Sequence, residues 1–184
     1  MKDYLNGWAE RYRADLTENI MPFWLKYGLD RVNGGIYTCV DRDGSLIDTT
    51  KSVWFQGRFA FVASFAYNTI EKNPEWLAAA KSTIDFIEAH CFDTDGRMYF
   101  EVTADGRPLR KRRYVFSESF AAIAMAEYAK ASGDMSYAEK ALNLFWNVTP
   151  RIQIGGEYNL GKRQNQDGEG RWAQRVSVMT QFSF

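Results

Sequence analysis

The chain has 184 residues, of which 46% are apolar and 25% are charged, a balance typical of a globular protein rather than of a disordered segment. Its 23 basic and 23 acidic side chains cancel, which argues against the basic excess of nucleic-acid-binding proteins. No apolar run is long enough to span a bilayer, and the first residues lack the apolar core of a signal peptide. The two cysteines, Cys39 and Cys91, are typical of free thiols in a reducing compartment, so the expected location is the cytoplasm.

Five segments show helical spacing of apolar residues or are bounded by helix-capping residues. The predicted helices are 3–20, with a short continuation at 23–27, then 52–70, 74–90, 114–131, and a last one from 134 or 136 to 146. The helix 52–70 is apolar on every side, which predicts that other helices surround it. Two long loops between helices each contain a short extended arm, at 36–40 and 98–103.

The composition of the sequence changes after residue 146. Residues 147–184 are polar and rich in glycine, and no helical spacing continues through them. We therefore expect one domain over 1–146, followed by a divergent tail over 147–184 that is poorly ordered or irregularly packed.

The loops and the helices that follow them repeat at one constant offset along the chain. The matched pairs are Gly34 and Gly96, Tyr37 and Tyr99, Gly44 and Gly106, Trp54 and Phe116, and Gln56 and Glu118. A fixed period of this kind is typical of stacked helix hairpins that share one continuous core. The sequence therefore predicts an all-α fold, an arc or toroid of helix hairpins with short β-like arms in the loops. The loops should gather at one end, where functional sites usually form.

Four stretches resemble the N-acylglucosamine 2-epimerase family. They are 22–24 with 30–35, 51–58, 90–97 and 112–120, and the resemblance extends over about residues 1–146. It implies an (α/α)6 barrel, a ring of six hairpins, of which this chain would form a part. It also implies an isomerase of carbohydrate metabolism that inverts C2 of N-acetylglucosamine and N-acetylmannosamine, or of cellobiose, mannose or sulfoquinovose.

The resemblance also implies a shortened protein. Family members are roughly twice as long, and their two catalytic histidines lie in the later half of the barrel. This chain has one histidine, His90. Inverting C2 needs a base and an acid on opposite faces of the sugar, a task suited to two histidines. We therefore expect a truncated form that is inactive alone, and no catalytic residue is assigned.

The candidate substrate-binding residues are Arg58, Glu118, Tyr37, Trp54 and Tyr114. By resemblance, Arg58 contacts the substrate. As a cation in an otherwise apolar helix, Arg58 should either face a water-filled cavity or pair with Glu118. Glu118 could instead accept from a sugar hydroxyl, or be an internal structural acid. The three aromatic residues are candidates for rings that stack on a sugar, with core packing as the alternative for each.

No cofactor and no metal are predicted. His90 ends a helix, where it complements the helix dipole, so a structural role is favoured over a catalytic one. Asp93 and Asp95 resemble the start of a calcium loop, but Ala104 stands where that loop requires an acid. The basic run at 110–113 is expected to be solvated, although ATP activates some family members and a phosphate could dock there.

The expected partners are a monosaccharide or amino-sugar substrate and further copies of the chain, with no nucleic acid and no membrane. One alternative to an epimerase is a non-catalytic half-barrel that binds sugar or self-associates through an open apolar inner face. Another is a glycosidase of similar shape, which needs two carboxylates at a suitable separation. Asp93, Asp95 and Glu118 are available for that role.

Overall fold

A computed structural model of the chain describes residues 1–111, 115–148, 152–164 and 170–182, with side chains described within 1–111 and 115–144. The chain divides into two units, Met1–Phe145 and Trp146–Phe184. The helices are α1 (Lys2–Ala14), α2 (Met21–Phe23), α3 (Val53–Thr69), α4 (Pro74–His90), α5 (Phe116–Ser132) and α6 (Ser136–Val148). The strands are β1 (Cys39–Val40), β2 (Leu46–Asp48), β3 (Lys51–Ser52), β4 (Glu101–Val102), β5 (Pro108–Arg110), β6 (Ile152–Gln164) and β7 (Gly170–Phe182).

The N-terminal segment is helical throughout, from Lys2 to Gly28. Two π-helical stretches, Asp15–Ile20 and Trp24–Gly28, join α1 to α2 and extend α2, so the predicted helix 3–20 and its short continuation at 23–27 form one helical segment. Pro22 has no N–H to donate to the preceding turn, and it lies where the helix changes from π-helical to α-helical hydrogen bonding. No residue of α1 is buried.

The ends of α3, α4 and α5 lie within about two residues of their predicted positions. The side chain of Asn73 caps α4 by accepting from the backbone N–H of Glu75 at 3.0 Å, and Pro74 occupies the first turn. Gly133 ends α5 in the left-handed region, with φ 78°, where a side chain would be strained.

The first unit is held together by α3, which packs against both α4 and α5. Helices therefore cover two sides of α3, as its apolar sequence predicted, whereas the side that carries Val62 and Phe65 is exposed. The buried positions of α3 include Phe59, Ala60 and Ala63, while Trp76 and Ile84 face the same core from α4. Cys91 is buried, Cys39 is exposed, and both are free thiols. Among the described residues, no helix is long and apolar enough to cross a membrane.

The two loops have the same hydrogen-bonded frame. In the first loop, the N–H of Asp41 donates to the Ser45 carbonyl at 2.8 Å; in the second, Thr103 donates to Arg107 at 2.8 Å. Each turn has a glycine at positive φ, 89° for Gly44 and 86° for the matching glycine of the second loop. The predicted repeat is therefore present in the backbone. Its arms form two small antiparallel sheets, β1–β2 and β3–β4–β5, so the second sheet joins both loops.

The second unit differs from the irregular tail that the sequence predicted. Its described residues form one antiparallel hairpin in which β6 pairs with β7, from Ile152 opposite Phe182 to Gln164 opposite Gly170. The sequence feature that indicates these strands is the alternation of apolar and other residues with a period of two. Ile152, Ile154, Tyr158 and Leu160 alternate with other residues, as do Val176, Val178 and Thr180. A search for helical spacing overlooks that pattern.

Candidate functional site

Arg58 lies on an exposed face of α3, flanked by two aromatic rings. Its guanidinium carbon is 5.6 Å from the ring centroid of Trp54 and 5.6 Å from that of Phe120, and the two rings are 6.0 Å apart. Trp54 is one turn earlier on α3, whereas Phe120 comes from α5. Cation–π contacts hold the guanidinium beside the two rings, and its planar fork of donors is suited to bidentate contact with oxygen atoms.

Gly57 explains how α5 comes close enough to supply its ring. A Cβ atom at Gly57 would lie 2.6 Å from the carbonyl carbon of Phe120 and 2.8 Å from the backbone nitrogen of Ala121. Only a residue without a side chain fits that contact between helix backbones. The Gly57–Arg58 pair therefore sets both the helix spacing and the surroundings of the guanidinium.

Glu118 bonds to the second loop. Its Oε1 accepts from the backbone N–H of Met98 at 3.0 Å, and its Oε2 is buried without a hydrogen-bond partner among the described residues. No ion pair joins Arg58 to Glu118 in the part of the chain that the structure describes. The alternative in which Arg58 pairs with Glu118 is therefore not observed among the described residues, because Glu118 bonds to the second loop instead.

Gln56 occupies the same position in the first loop. Its Oε1 accepts from the N–H of Ile36 at 2.8 Å, and its Nε2 donates to the Ile36 carbonyl at 2.7 Å. Ile36 and Met98 are separated by the same offset as Gln56 and Glu118. The sequence repeat therefore pairs two residues with the same structural role, because each side chain bonds to the backbone of its own loop.

Tyr37 belongs to a separate buried cluster. Its ring centroid is 5.3 Å from Nζ of Lys51, a fully buried lysine that donates to Asp30 at 2.8 Å and to the carbonyls of Gly34 and Ala104 at 2.7 and 2.8 Å. All three ammonium hydrogens are thereby used. Burial, and hydrogen bonding to Asp30, raise the pKa of Tyr37.

Sequence reasoning missed the pair of Lys51 and Asp30. Burial alone would raise the pKa of Asp30, but hydrogen bonds from Lys51 and Asn33 outweigh it and hold that pKa below the ordinary value of 3.8. Since Ala104 lies in the second loop, Lys51 ties the two loops together. A lysine just before an apolar helix gave no signal that it would be buried.

The remaining candidates lie elsewhere. Trp54 is half-buried beside Arg58, as described, and Tyr114 lies outside the described residues. His90 is partly buried, its ring packed against Gly106 and 5.0 Å from the ring of Phe86. That glycine has the same contact as Gly44, which packs against the ring of Tyr27.

The acidic turn after α4 is occupied by a lysine. Lys111 pairs with Asp93 and, at 2.7 Å, with Asp95. Its hydrogen bond is the main reason that the pKa of Asp93 falls to about 2. Among the described residues, no group of three or more potential ligands is arranged to hold a metal ion.

Comparison with known proteins identifies the family. A family model described as N-acylglucosamine 2-epimerase matches residues 35–170. The chain belongs to the N-acylglucosamine 2-epimerase family. The match continues past residue 146, so the expectation that family likeness ends there is wrong.

Relatives of this family are similar over most of the chain. The human N-acylglucosamine 2-epimerase is 30% identical over 97% of this chain, and a cellobiose 2-epimerase of Ruminococcus albus is 31% identical over 86%. The chain spans only 42% and 40% of the length of these two proteins.

Solved structures agree on the fold. The cellobiose 2-epimerase from Spirochaeta thermophila superposes with a TM-score of 0.74 at 28% identity, covering 85% of this chain and 40% of that one. A D-mannose isomerase superposes with a TM-score of 0.69 at 18% identity, a likeness of fold alone. The predicted α/α-barrel class, with helix hairpins and short β arms, is confirmed.

Proposed function

We propose that the first unit binds a monosaccharide or amino sugar at Arg58, as part of a sugar 2-epimerase framework. The observation that supports this most directly is an exposed guanidinium flanked by Trp54 and Phe120. Flat aromatic faces stack on the C–H faces of sugars, and a guanidinium donates to their oxygens. Glu118 bonds to the second loop and Tyr37 packs in the separate Lys51 cluster, so no sugar contact is proposed for either residue, and a wall contribution from Tyr114 stays a prediction.

In C2 epimerisation, the proton next to the C1 carbonyl is removed and returned on the other face. Negative charge develops on O1 of the enediolate intermediate, and a nearby cation stabilises it. Arg58 is suited to that electrostatic role. The proton transfers need a separate base and acid, and the single histidine of the chain packs against Gly106. We infer that this chain, which contains one histidine, binds sugar but does not turn it over by itself.

The glycosidase alternative has less support. Asp93 and Asp95 are paired with Lys111, and Glu118 bonds to the Met98 backbone, so the three candidate carboxyl groups already have structural partners. A pair of free carboxyl groups facing one cavity would be needed for glycoside hydrolysis.

Two measurements test the proposal. Binding is followed by ligand-observed NMR with N-acetylmannosamine, mannose and cellobiose, comparing the wild-type chain with Arg58→Lys. Lysine keeps the charge but loses the planar fork, so we expect affinity for at least one sugar to fall by about tenfold or more. Arg13→Lys, an exposed arginine on α1, is the matched control and should bind normally. Equal affinity in all three proteins would remove Arg58 from the site.

Turnover is measured separately, by deuterium exchange at C2 of N-acetylmannosamine in D2O. We expect no exchange above the rate without protein. Robust exchange by the wild-type chain would refute the inactivity while leaving the binding proposal intact.

A further inference from the structure

Two exposed helix faces lie on either side of the α3–α5 contact. On α3, the exposed side chains recur every three or four residues, at Arg58, Val62, Phe65 and Thr69. Val62 is 41% exposed and Phe65 46%. Large apolar side chains grouped on one helix face are a common mark of an interaction surface. We call this set the α3 face.

The second exposed face is on α5, at Ser119, Ile123 and Lys130. These residues also lie at helical spacing, and Ile123 is 43% exposed. We call this set the α5 face.

The contact between α3 and α5 inside the chain shows what such faces bind. On α3, Gly57 lies against the backbone of Phe120, and Asn68 donates to the carbonyl of Glu127 at 3.2 Å and to its Oε1 at 2.8 Å. This side of α3 therefore fits a surface that contains Phe120 and Glu127.

The sequence repeat connects this contact to the two exposed faces. One repeat after Gly57 and Asn68 of α3 stand Ser119 and Lys130 of α5. One repeat before Phe120 and Glu127 of α5 stand Arg58 and Phe65 of α3. All four counterparts are exposed. The α5 face thus corresponds, through the repeat, to the side of α3 that packs on α5. In the same way, the α3 face corresponds to the side of α5 that packs on α3.

We propose that copies of this chain associate head to tail, with the α5 face of one copy packed on the α3 face of the next. Ser119 is small, like its counterpart Gly57, so the helices can approach closely, while Ile123, Val62 and Phe65 supply the apolar surface. The interface is heterologous: each copy contributes a different face. Its argument rests on the repeat and the exposed faces, not on sugar binding.

Head-to-tail packing would also extend the candidate sugar site. Within the chain, the ring of Trp54 contacts the ring of Phe120. The repeat equivalents of these two residues are Phe116 and Arg58, so the same contact between two copies would join Phe116 to Arg58. The second copy would therefore bring its Phe116 ring beside the Arg58 guanidinium of the first.

The test uses one variant for each face. Sedimentation velocity of the wild-type chain over a range of concentrations should show a mass that rises above the monomer value of 21.2 kDa. Phe65→Lys breaks the α3 face and Ile123→Lys breaks the α5 face, so each variant alone should stay monomeric. An equimolar mixture still contains one intact face of each kind and should form a complex of about twice the monomer mass that grows no further. Ile47→Lys, at a 68% exposed position on β2, is the matched control and should associate like wild type.

Each other outcome overturns the proposal. A wild-type chain that is monomeric at all concentrations would mean that something other than a second copy covers these faces. Association that survives in one single-face variant would indicate a two-fold interface, in which one surface meets itself. A mixture that stays monomeric would exclude head-to-tail pairing. Far-UV circular dichroism checks that both variants fold, and Val62→Lys replaces Phe65→Lys if that variant does not.

Discussion

Replacing Glu118 with glutamine should stabilise the protein. In the first loop, Gln56 satisfies both backbone groups of Ile36, the N–H at 2.8 Å and the carbonyl at 2.7 Å. In the second loop, Glu118 reaches only the N–H of Met98, and its Oε2 is buried with no partner among the described residues. A glutamine there would offer an amide N–H in place of Oε2, and the repeat places the Met98 carbonyl as its acceptor.

The size of the effect follows from that one atom. Leaving a buried polar atom without a hydrogen bond costs about 1–3 kcal/mol, and a new neutral hydrogen bond contributes about 0.5–1.5 kcal/mol. We expect Glu118→Gln to raise the free energy of unfolding by about 1–2 kcal/mol. For a domain of this size, that corresponds to an increase in Tm of roughly 3–6 °C.

The assay is urea denaturation at neutral pH, followed by circular dichroism. The reverse exchange, Gln56→Glu, is the matched control, because it removes the N–H that the Ile36 carbonyl accepts and should cost about 2–3 kcal/mol. If Glu118→Gln left the unfolding free energy unchanged while Gln56→Glu lowered it, the repeat comparison would have misjudged the surroundings of Oε2. If neither variant had an effect, the loop bonds would contribute nothing measurable.

Two further substitutions test the packing and the buried pair. Gly57→Ala places a methyl group 2.6 Å from the Phe120 carbonyl carbon, so we expect a loss of about 1–3 kcal/mol in urea denaturation, whereas the exposed counterpart change Ser119→Ala should be nearly neutral. Lys51→Met leaves Asp30 buried without its cation and should cost about 3–5 kcal/mol at pH 7. Because the pKa of Asp30 is lowered on folding, the stabilisation from the pair is present above pH 3.8 and is lost as the pH falls below it. The cost of Lys51→Met should therefore shrink in acid, and a cost that is independent of pH would contradict this reasoning.

The helices were predictable because their ends depend on local chemistry. The amide side chain of Asn73, the ring of Pro74 and the backbone freedom of Gly133 each act within one turn, so the sequence alone locates the ends of α4 and α5. The repeat was equally accessible, since it requires only a comparison of the chain with itself.

The partners of charged side chains were much harder to predict. An ion pair between Arg58 and Glu118 was one alternative because both residues interrupt apolar helices, yet Arg58 is exposed and Glu118 bonds to a loop backbone. Lys51 bonds to Ala104 in the second loop, and its three hydrogen bonds depend on how the two loops meet. Contacts of this kind are set by tertiary geometry, which a pattern along the chain does not contain.

Comparing the two repeats separates what the fold requires from what a ligand requires. The ring of Tyr27 packs on Gly44 as the ring of His90 packs on Gly106. The two rings are slightly further apart in sequence than the two glycines, because the turn that begins at Asp30 is longer than its counterpart after α4. Since a tyrosine does the same structural work, this position requires a ring but not an imidazole, which supports a packing role for His90.

The same comparison gives the opposite answer for Arg58. Its counterpart in the second repeat is Phe120, so the helix position accepts a ring without charge. The fold therefore does not require a cation at residue 58, and no carboxylate pairs with that cation among the described residues. Lys51 is the contrasting case, because each of its ammonium hydrogens serves a bond that holds the loops. Of these two cations, Lys51 uses all of its donors in hydrogen bonds within the protein, whereas Arg58 is available to a ligand.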